Sequence, residues 1–224
     1  MSTPQQVRGT GVTAAEALLV VASEPEKGYD STGALDALLP AAVLVDLVDA
    51  GLLVVDDGTV GPAPSADGST PGASYLRAVL ALGPRLTGTV AEVLWALTDG
   101  LRPLAATVGI DLVAEGRLEP VRNRVLKMDF GVRFPTRDTA YREDVVRSVR
   151  EAYEQGTTTG PWGRAALLLA LSGHGPAVLP GVATDAMDAE VRDGSSLVGT
   201  DDLAGASLGP VLGSLAATIQ QTLR

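Results

Sequence analysis

Apolar residues recur at spacings of three and four along most of this chain, and that period predicts helices. After a loose, polar stretch over residues 1–11, Thr13 and Glu16 spell a capping box that opens a helix of about ten residues, AEALLVVAS. Residues 24–30, EPEKGYD, read as a charged loop broken by Pro25 and Gly28. A second helix is expected over residues 32–50. Leu35, Leu38, Ala42 and Val45 form its stripe, Leu39, Val43 and Leu47 widen it, and Gly51 closes it as a left-handed cap. LLVVDDGTV follows, with Asp57-Gly58 as the turn of a hairpin.

Residues 61–74 form an exposed loop by composition, and a short helix over 75–82 ends at Gly83-Pro84. Thr89 and Glu92 make a second capping box. The helix they open carries Val90, Val93 or Leu94, Leu97 and Leu101 on one face, with Trp95 off the stripe. From Leu101 the chain reads as a helix ending at Gly116, then as a basic hairpin up to Phe134. Asp138 caps an amphipathic helix to Gln155, with Val145, Val146, Val149, Ala152 and Tyr153 on its apolar side. Glu143–Arg147, Arg147–Glu151 and Arg150–Glu154 are its expected charge pairs. A loop over 156–161 leads to an almost wholly apolar, central helix over 162–171, then a helix over 179–191. A loop over 192–207 and a last amphipathic helix over 208–223 complete the chain. The fold class is mostly α: one globular helical domain, residues 1–224, of about eight or nine helices with a protruding β-hairpin.

One local grammar occurs twice. DLVDAGLL at 46–53 returns as DLVAEGRL at 111–118, matching at Asp, Leu, Val, Gly and Leu. Each time a helix closes on glycine and feeds a hairpin. Two copies are too few for a solenoid, and a winged helix that reads DNA shares the same pattern.

Composition narrows this. Apolar residues make up 46% of the chain but aromatics only 4%, so the core must be built of Leu, Val and Ala, a mix that favours helices. The net charge of −10 disfavours nucleic acid and anionic lipid unless the basic residues are segregated. They are: residues 117–150 hold nine basic and five acidic side chains. Fifteen of the seventeen basic residues are Arg, a bias that a GC-rich genome also produces. The absence of cysteine excludes disulfides and thiolate chemistry. Ala14–Ala22 is interrupted by Glu16 and reads as a buried helix, not a signal peptide. Residues 165–184 and 203–223 carry too many Gly, Pro, Ser, Thr or Gln residues to read as membrane spans.

Nothing in the sequence assembles a catalytic constellation. His174 stands between glycines without a nucleophile-elbow motif and reads as a helix-end residue. Asp56-Asp57 and Asp201-Asp202 read as solvated loop acids without calcium-loop spacing, and no phosphate-binding glycine motif is present. No catalytic residue, metal or cofactor is expected. Arg122, Arg124 and Arg133 could project from the hairpin towards phosphates as bidentate forks. Equally, their charges could simply keep an exposed sheet edge from pairing with another.

Several blocks in order resemble the Golgi phosphoprotein 3 family, including its bacterial, actinobacterial-type members. They are the opening helix with its glutamate, EKGY at 26–29, LVDLVDAGLL at 44–53, LVAEGRL at 112–118, KMDF at 127–130 and LLLALSGHGPAVL at 167–179. The resemblance implies an all-α fold whose protruding hairpin serves self-association, which places Glu119, Val121, Val125 and Leu126 in a contact between copies. It further implies peripheral membrane binding through phosphatidylinositol 4-phosphate, which in eukaryotic members supports retention of glycosyltransferases. The family's headgroup pocket uses a Trp, an Arg on the second helix and two Arg three residues apart. Here the Trp position falls near residues 31–33, where no aromatic stands, and the second-helix Arg falls at about Pro40. Of the final pair, Arg102 matches and the other position is Ala105.

The expected function is therefore a non-catalytic, cytoplasmic adaptor at a membrane surface, with Arg102, Arg122 and Arg124 facing an anionic phospholipid headgroup and headgroup specificity weakened or lost. A possible homo-oligomer through the hairpin and a client protein are the other expected partners; nucleic acid is not one. The alternative is a cytosolic interaction or self-association module with no lipid ligand.

Overall fold

A computed structural model describes residues 11–28, 34–56, 58–64, 73–101, 103–125 and 128–193. The elements are α1 (Ala14–Ala22), α2 (Ala34–Asp49), β1 (Leu53–Asp56), β2 (Thr59–Pro62), α3 (Ser74–Leu80), a 3-10 turn (Gly83–Leu86), β3 (Gly88–Thr89), α4 (Val90–Gly100), α5 (Leu104–Val108), α6 (Ile110–Ala114), β4 (Val121–Val125), β5 (Met128–Arg133), α7 (Thr139–Glu154), α8 (Gly160–Leu171), α9 (Gly175–Val178) and α10 (Asp185–Asp193). The protein is mostly helical, as the periodicity predicts.

The centre of the core is α1, buried at every position and packed against α2, α7 and α8. Leu18, Leu19, Leu38, Leu44, Leu47, Leu167, Leu168 and Leu169 are fully buried there. Each such side chain contributes about 1.5–3 kcal/mol of apolar transfer, which is how a core nearly devoid of aromatics holds together. The buried aromatics among the described residues are Tyr75 on α3, Tyr153 on α7 and Phe134 just after β5. Both expected capping boxes form. Thr13 and Thr89 each accept from the backbone of the glutamate three residues on, and that glutamate reaches back to the cap. Asp138 caps α7 through the Tyr141 N–H at 3.0 Å.

The duplicated grammar is a duplicated geometry. Gly51 and Gly116 have φ of 66° and 74°. In the first copy Gly51 N–H bonds Val48 O and Leu52 N–H bonds Leu47 O; in the second Gly116 bonds Val113 O and Arg117 bonds Leu112 O. These are two Schellman caps. Each is followed by an antiparallel pair, β1–β2 in register Val55↔Val60 and β4–β5 in register Val125↔Met128.

Several expectations are corrected. The stretch 101–116 is two short helices, because Pro103 starts a new one and the chain turns again at Gly109, which packs against Leu19 and Phe134. Strand β2 takes the first residues of the expected 61–74 loop, of which 65–72 lie outside the described residues, and β3 adds an unforeseen third strand beside β2. The helix expected over 179–191 begins only at Asp185, since Pro180 and Gly181 (φ 75°) break it; α9 precedes it. With these short helices, the helix count among the described residues already exceeds the expected eight or nine. Arg147 pairs with Asp144, and Arg150 donates to Pro180 O at 3.2 Å, in place of the expected glutamate partners. The loop over 192–207 and the last helix over 208–223 fall almost wholly outside the described residues.

Candidate functional site

The hairpin β4–β5 makes a sheet of its own, with no third strand among the described residues. Arg122 pairs in backbone register with Val132 and Arg124 with Asp129, and the register shifts between Arg122 and Arg124. That irregularity interrupts the regular backbone ladder at this point. Val121 opens β4 opposite Arg133, and Val125 ends it opposite Met128. Leu126 lies outside the described residues. Glu119 is exposed just before β4 and donates its N–H to Pro135 O at 3.0 Å.

The base of the hairpin is clamped by the loop after α1. Phe134 N–H bonds Gly28 O at 2.9 Å and Thr136 N–H bonds Pro25 O at 2.8 Å. Gly28, at φ 66°, lies so close that a Cβ would stand 2.1 Å from Pro135 N. The residues EPEKG are thus a wall of the hairpin's socket. Arg117 locks the other side: its carbonyl accepts from Arg137 and Asp138, its guanidinium pairs with the Asp138 carboxylate and lies over the Tyr141 ring at 4.6 Å. The Tyr141 N–H and this guanidinium hold the Asp138 carboxyl below its ordinary value.

A cavity of about 490 Å³ opens where the first turns of α2, the C-terminal end of α4 and the start of α5 meet. Leu35, Asp36, Leu39, Pro40, Thr98, Pro103, Leu104 and Ala105 line it. Pro40 stands inside α2, where it cannot give the Asp36 carbonyl its usual intrahelical donor. The Thr98 hydroxyl donates to Leu94 O at 2.9 Å. Among the described lining side chains, Asp36 alone carries a charge. Pro40 and Ala105, the two positions to which family arginines were carried, lie on the same wall system; Arg102 precedes Pro103 and lies outside the described residues. The geometry thus brings Pro40 and Ala105 together and puts Arg122 and Arg124 on a different element.

Sequence reading missed a buried polar network beside α1. Asp46, on α2, accepts from the Ala14 and Ala15 N–H groups at 2.9 Å each and from the Tyr75 hydroxyl at 2.6 Å. Burial raises its carboxyl to about 6 against these bonds. Glu16 accepts from Thr13 N–H at 2.9 Å, and burial raises it to about 7. The second copy behaves alike: Asp111 accepts the Ser74 N–H at the start of α3. The signal was the shared Asp in DLVDAGLL and DLVAEGRL. His174 bonds Leu169 O through its backbone N–H at 3.0 Å, while its Nδ1 is buried without a partner.

A family model described as Golgi phosphoprotein 3 matches residues 14–214. No curated protein matches the chain.

Proposed function

The chain belongs to the Golgi phosphoprotein 3 family, and from that premise we propose that it is a non-catalytic adaptor working peripherally at an anionic membrane surface, with specificity for phosphatidylinositol 4-phosphate lost. The observation that carries this reading is the lining of the α2–α4–α5 cavity. On the resemblance, the family's arginines fall at about Pro40 and at Ala105, both on this lining, and Asp36 adds a negative charge to the same wall. A phosphomonoester is held by several charge-assisted forks, and a carboxylate beside it opposes binding. What remains for an anionic surface is the basic ribbon Arg122–Arg133, whose attraction to lipid is generic and falls with salt. No helix among the described residues is long and apolar enough to cross a membrane, which fits peripheral attachment.

Flotation with liposomes tests this. Phosphatidylglycerol vesicles should carry the protein at low salt and release it as salt rises. Replacing part of that lipid with phosphatidylinositol 4-phosphate at equal surface charge should add nothing. A headgroup-specific gain would overturn the reading.

The second reading is self-association or client binding through the hairpin, with no lipid ligand. The two-stranded ribbon favours it, since an unpaired ribbon edge is a template for another strand. A defined oligomer in solution with no affinity for acidic vesicles would select it.

A further inference from the structure

Two carboxylates are buried in the core, Glu16 at 6% exposure and Asp46 at 7%, and no ion pair reaches either among the described residues. A chain of close oxygen contacts joins them. Glu16 Oε2 stands 3.1 Å from Thr13 Oγ1, Thr13 Oγ1 stands 3.1 Å from the Tyr75 hydroxyl, and that hydroxyl stands 2.6 Å from Asp46 Oδ2. Three oxygen–oxygen contacts need three protons to be hydrogen bonds. The two hydroxyls supply two.

The missing proton is decisive. Suppose both carboxylates are ionised. Tyr75 then gives its proton to Asp46, Thr13 gives its proton to Glu16, and the Thr13 and Tyr75 oxygens face each other at 3.1 Å with only lone pairs between them. Suppose instead that one proton is added. With it on Glu16, the carboxyl donates to Thr13, Thr13 to Tyr75, and Tyr75 to Asp46. With it on Asp46, every bond reverses and all three contacts are again satisfied. Thr13 Oγ1 still has room to accept the Glu16 N–H at 3.2 Å, and Asp46 still accepts from Ala14 and Ala15. We propose that Glu16 and Asp46 share one proton through Thr13 and Tyr75, and that this chain is a pH-sensitive latch joining α1, α2 and α3.

The surroundings support a retained proton. Asp49 of α2 and Asp111 of α6 add negative charge near Asp46 and Glu16 respectively. Tyr141 of α7 also faces Glu16. The cations nearby are engaged elsewhere: Arg117 with Asp138 and Glu115, Arg164 with Asp49 at 3.5 Å, and Arg142 with Ser23 O at 3.3 Å. Burial lifts Glu16 to about 7 and Asp46 to about 6, and the Tyr75 phenol is pushed up as well. Removing the shared proton leaves α1 and α3 meeting through two opposed lone pairs, so the contact loosens as pH rises. The latch is independent of what the cavity or the hairpin binds.

Carboxyl carbon NMR on the full chain reads it directly. Between pH 5 and 8.5 the Glu16 Cδ and Asp46 Cγ signals should move together through one midpoint close to neutrality. Two carboxyls already ionised and invariant above pH 5 would overturn the proposal. In Tyr75→Phe the relay is cut, so the two signals should titrate with separate midpoints; an unchanged, joint titration would count against sharing. Glu16→Gln keeps an acceptor for the capping box, and it should remove most of the change in Tm between pH 5.5 and 8. A wild-type pH slope in this variant would also overturn it, and either Glu16→Gln or the wild-type titration decides the matter if Tyr75→Phe fails to fold.

Discussion

Asp46 and Asp111 occupy equivalent places in two copies of one local sequence, and each closes the N-terminus of a helix other than its own. Asp46 takes the Ala14 and Ala15 N–H groups of α1, and Asp111 takes the Ser74 N–H of α3. Asp46 is buried, whereas Asp111 is only partly so. Their removal should therefore differ in cost. Asp46→Ala strands two backbone donors and the Tyr75 hydroxyl, for a loss of about 2–4 kcal/mol. Asp111→Ala, with water able to replace the carboxylate, should cost about 0.5–1.5 kcal/mol. Urea unfolding of the two variants measures the difference, and equal losses would contradict the assignment.

Acidification should stabilise the fold over the weakly acidic range. Glu16 and Asp46 are raised in the folded state, so the stability from their protonated forms is complete below about pH 4. It is lost as pH rises through the one shared midpoint, which lies between about 6 and about 7, the values to which burial raises Asp46 and Glu16. Unfolding free energy should fall between pH 5 and 8 by on the order of 1–3 kcal/mol. Asp138 runs the other way: its carboxyl is depressed, so its contribution is lost only as pH drops below the ordinary carboxylate range. Melting curves from pH 3 to 8 should therefore pass through a maximum on the acid side of neutrality.

Gly28→Ala should open the hairpin's socket. The new methyl would overlap Pro135 N at a φ of 66° that side chains rarely adopt. A loss of about 2–4 kcal/mol is expected, in the range of backbone strain combined with overpacking. Hydrogen exchange should accelerate first at the Phe134, Thr136 and Glu119 amides, which are bonded across this junction.

Restoring guanidinium groups to the cavity should restore headgroup recognition. Pro40→Arg with Ala105→Arg returns two charged forks to its wall. Each charge-assisted contact is worth about 1.5–3 kcal/mol, so the double variant should bind phosphatidylinositol 4-phosphate vesicles at least about tenfold more tightly than charge-matched controls. Asp36→Asn should add to that gain, and flotation of all three proteins is the measurement.

On α4, the exposed and buried faces should respond oppositely. Trp95 is 63% exposed with Arg85 over its ring at 5.7 Å, whereas Leu97 is fully buried. Trp95→Ala should change stability by less than about 0.5 kcal/mol, and Leu97→Ala should cost about 2–5 kcal/mol.

The helices were legible because their signals are local. Thr13 with Glu16, Thr89 with Glu92 and Asp138 each announce a start through contacts within one turn, and Trp95 stands outside the stripe as its spacing says. What escaped the sequence depends on distant partners. Nothing in EPEKGYD states that Gly28 will lie against Pro135, and nothing in DLVDAGLL states that Asp46 will cap a helix more than thirty residues earlier. The close packing at Gly109 escaped for the same reason, because a Cβ there would meet Leu19 and Phe134, both distant in the chain. At the cavity, the resemblance carries family arginines to about Pro40 and to Ala105, but nothing in the sequence says that the two residues share a wall.

Arg117 is the point where the ribbon is spliced into the body of the protein. Its carbonyl and guanidinium fix both the stem of β4–β5 and the cap of α7, and α7 packs on α1 and α8. A load applied to the far end of the ribbon therefore arrives at a helix terminus rather than at a slack linker. Whatever the ribbon grips, the pull is borne by the core.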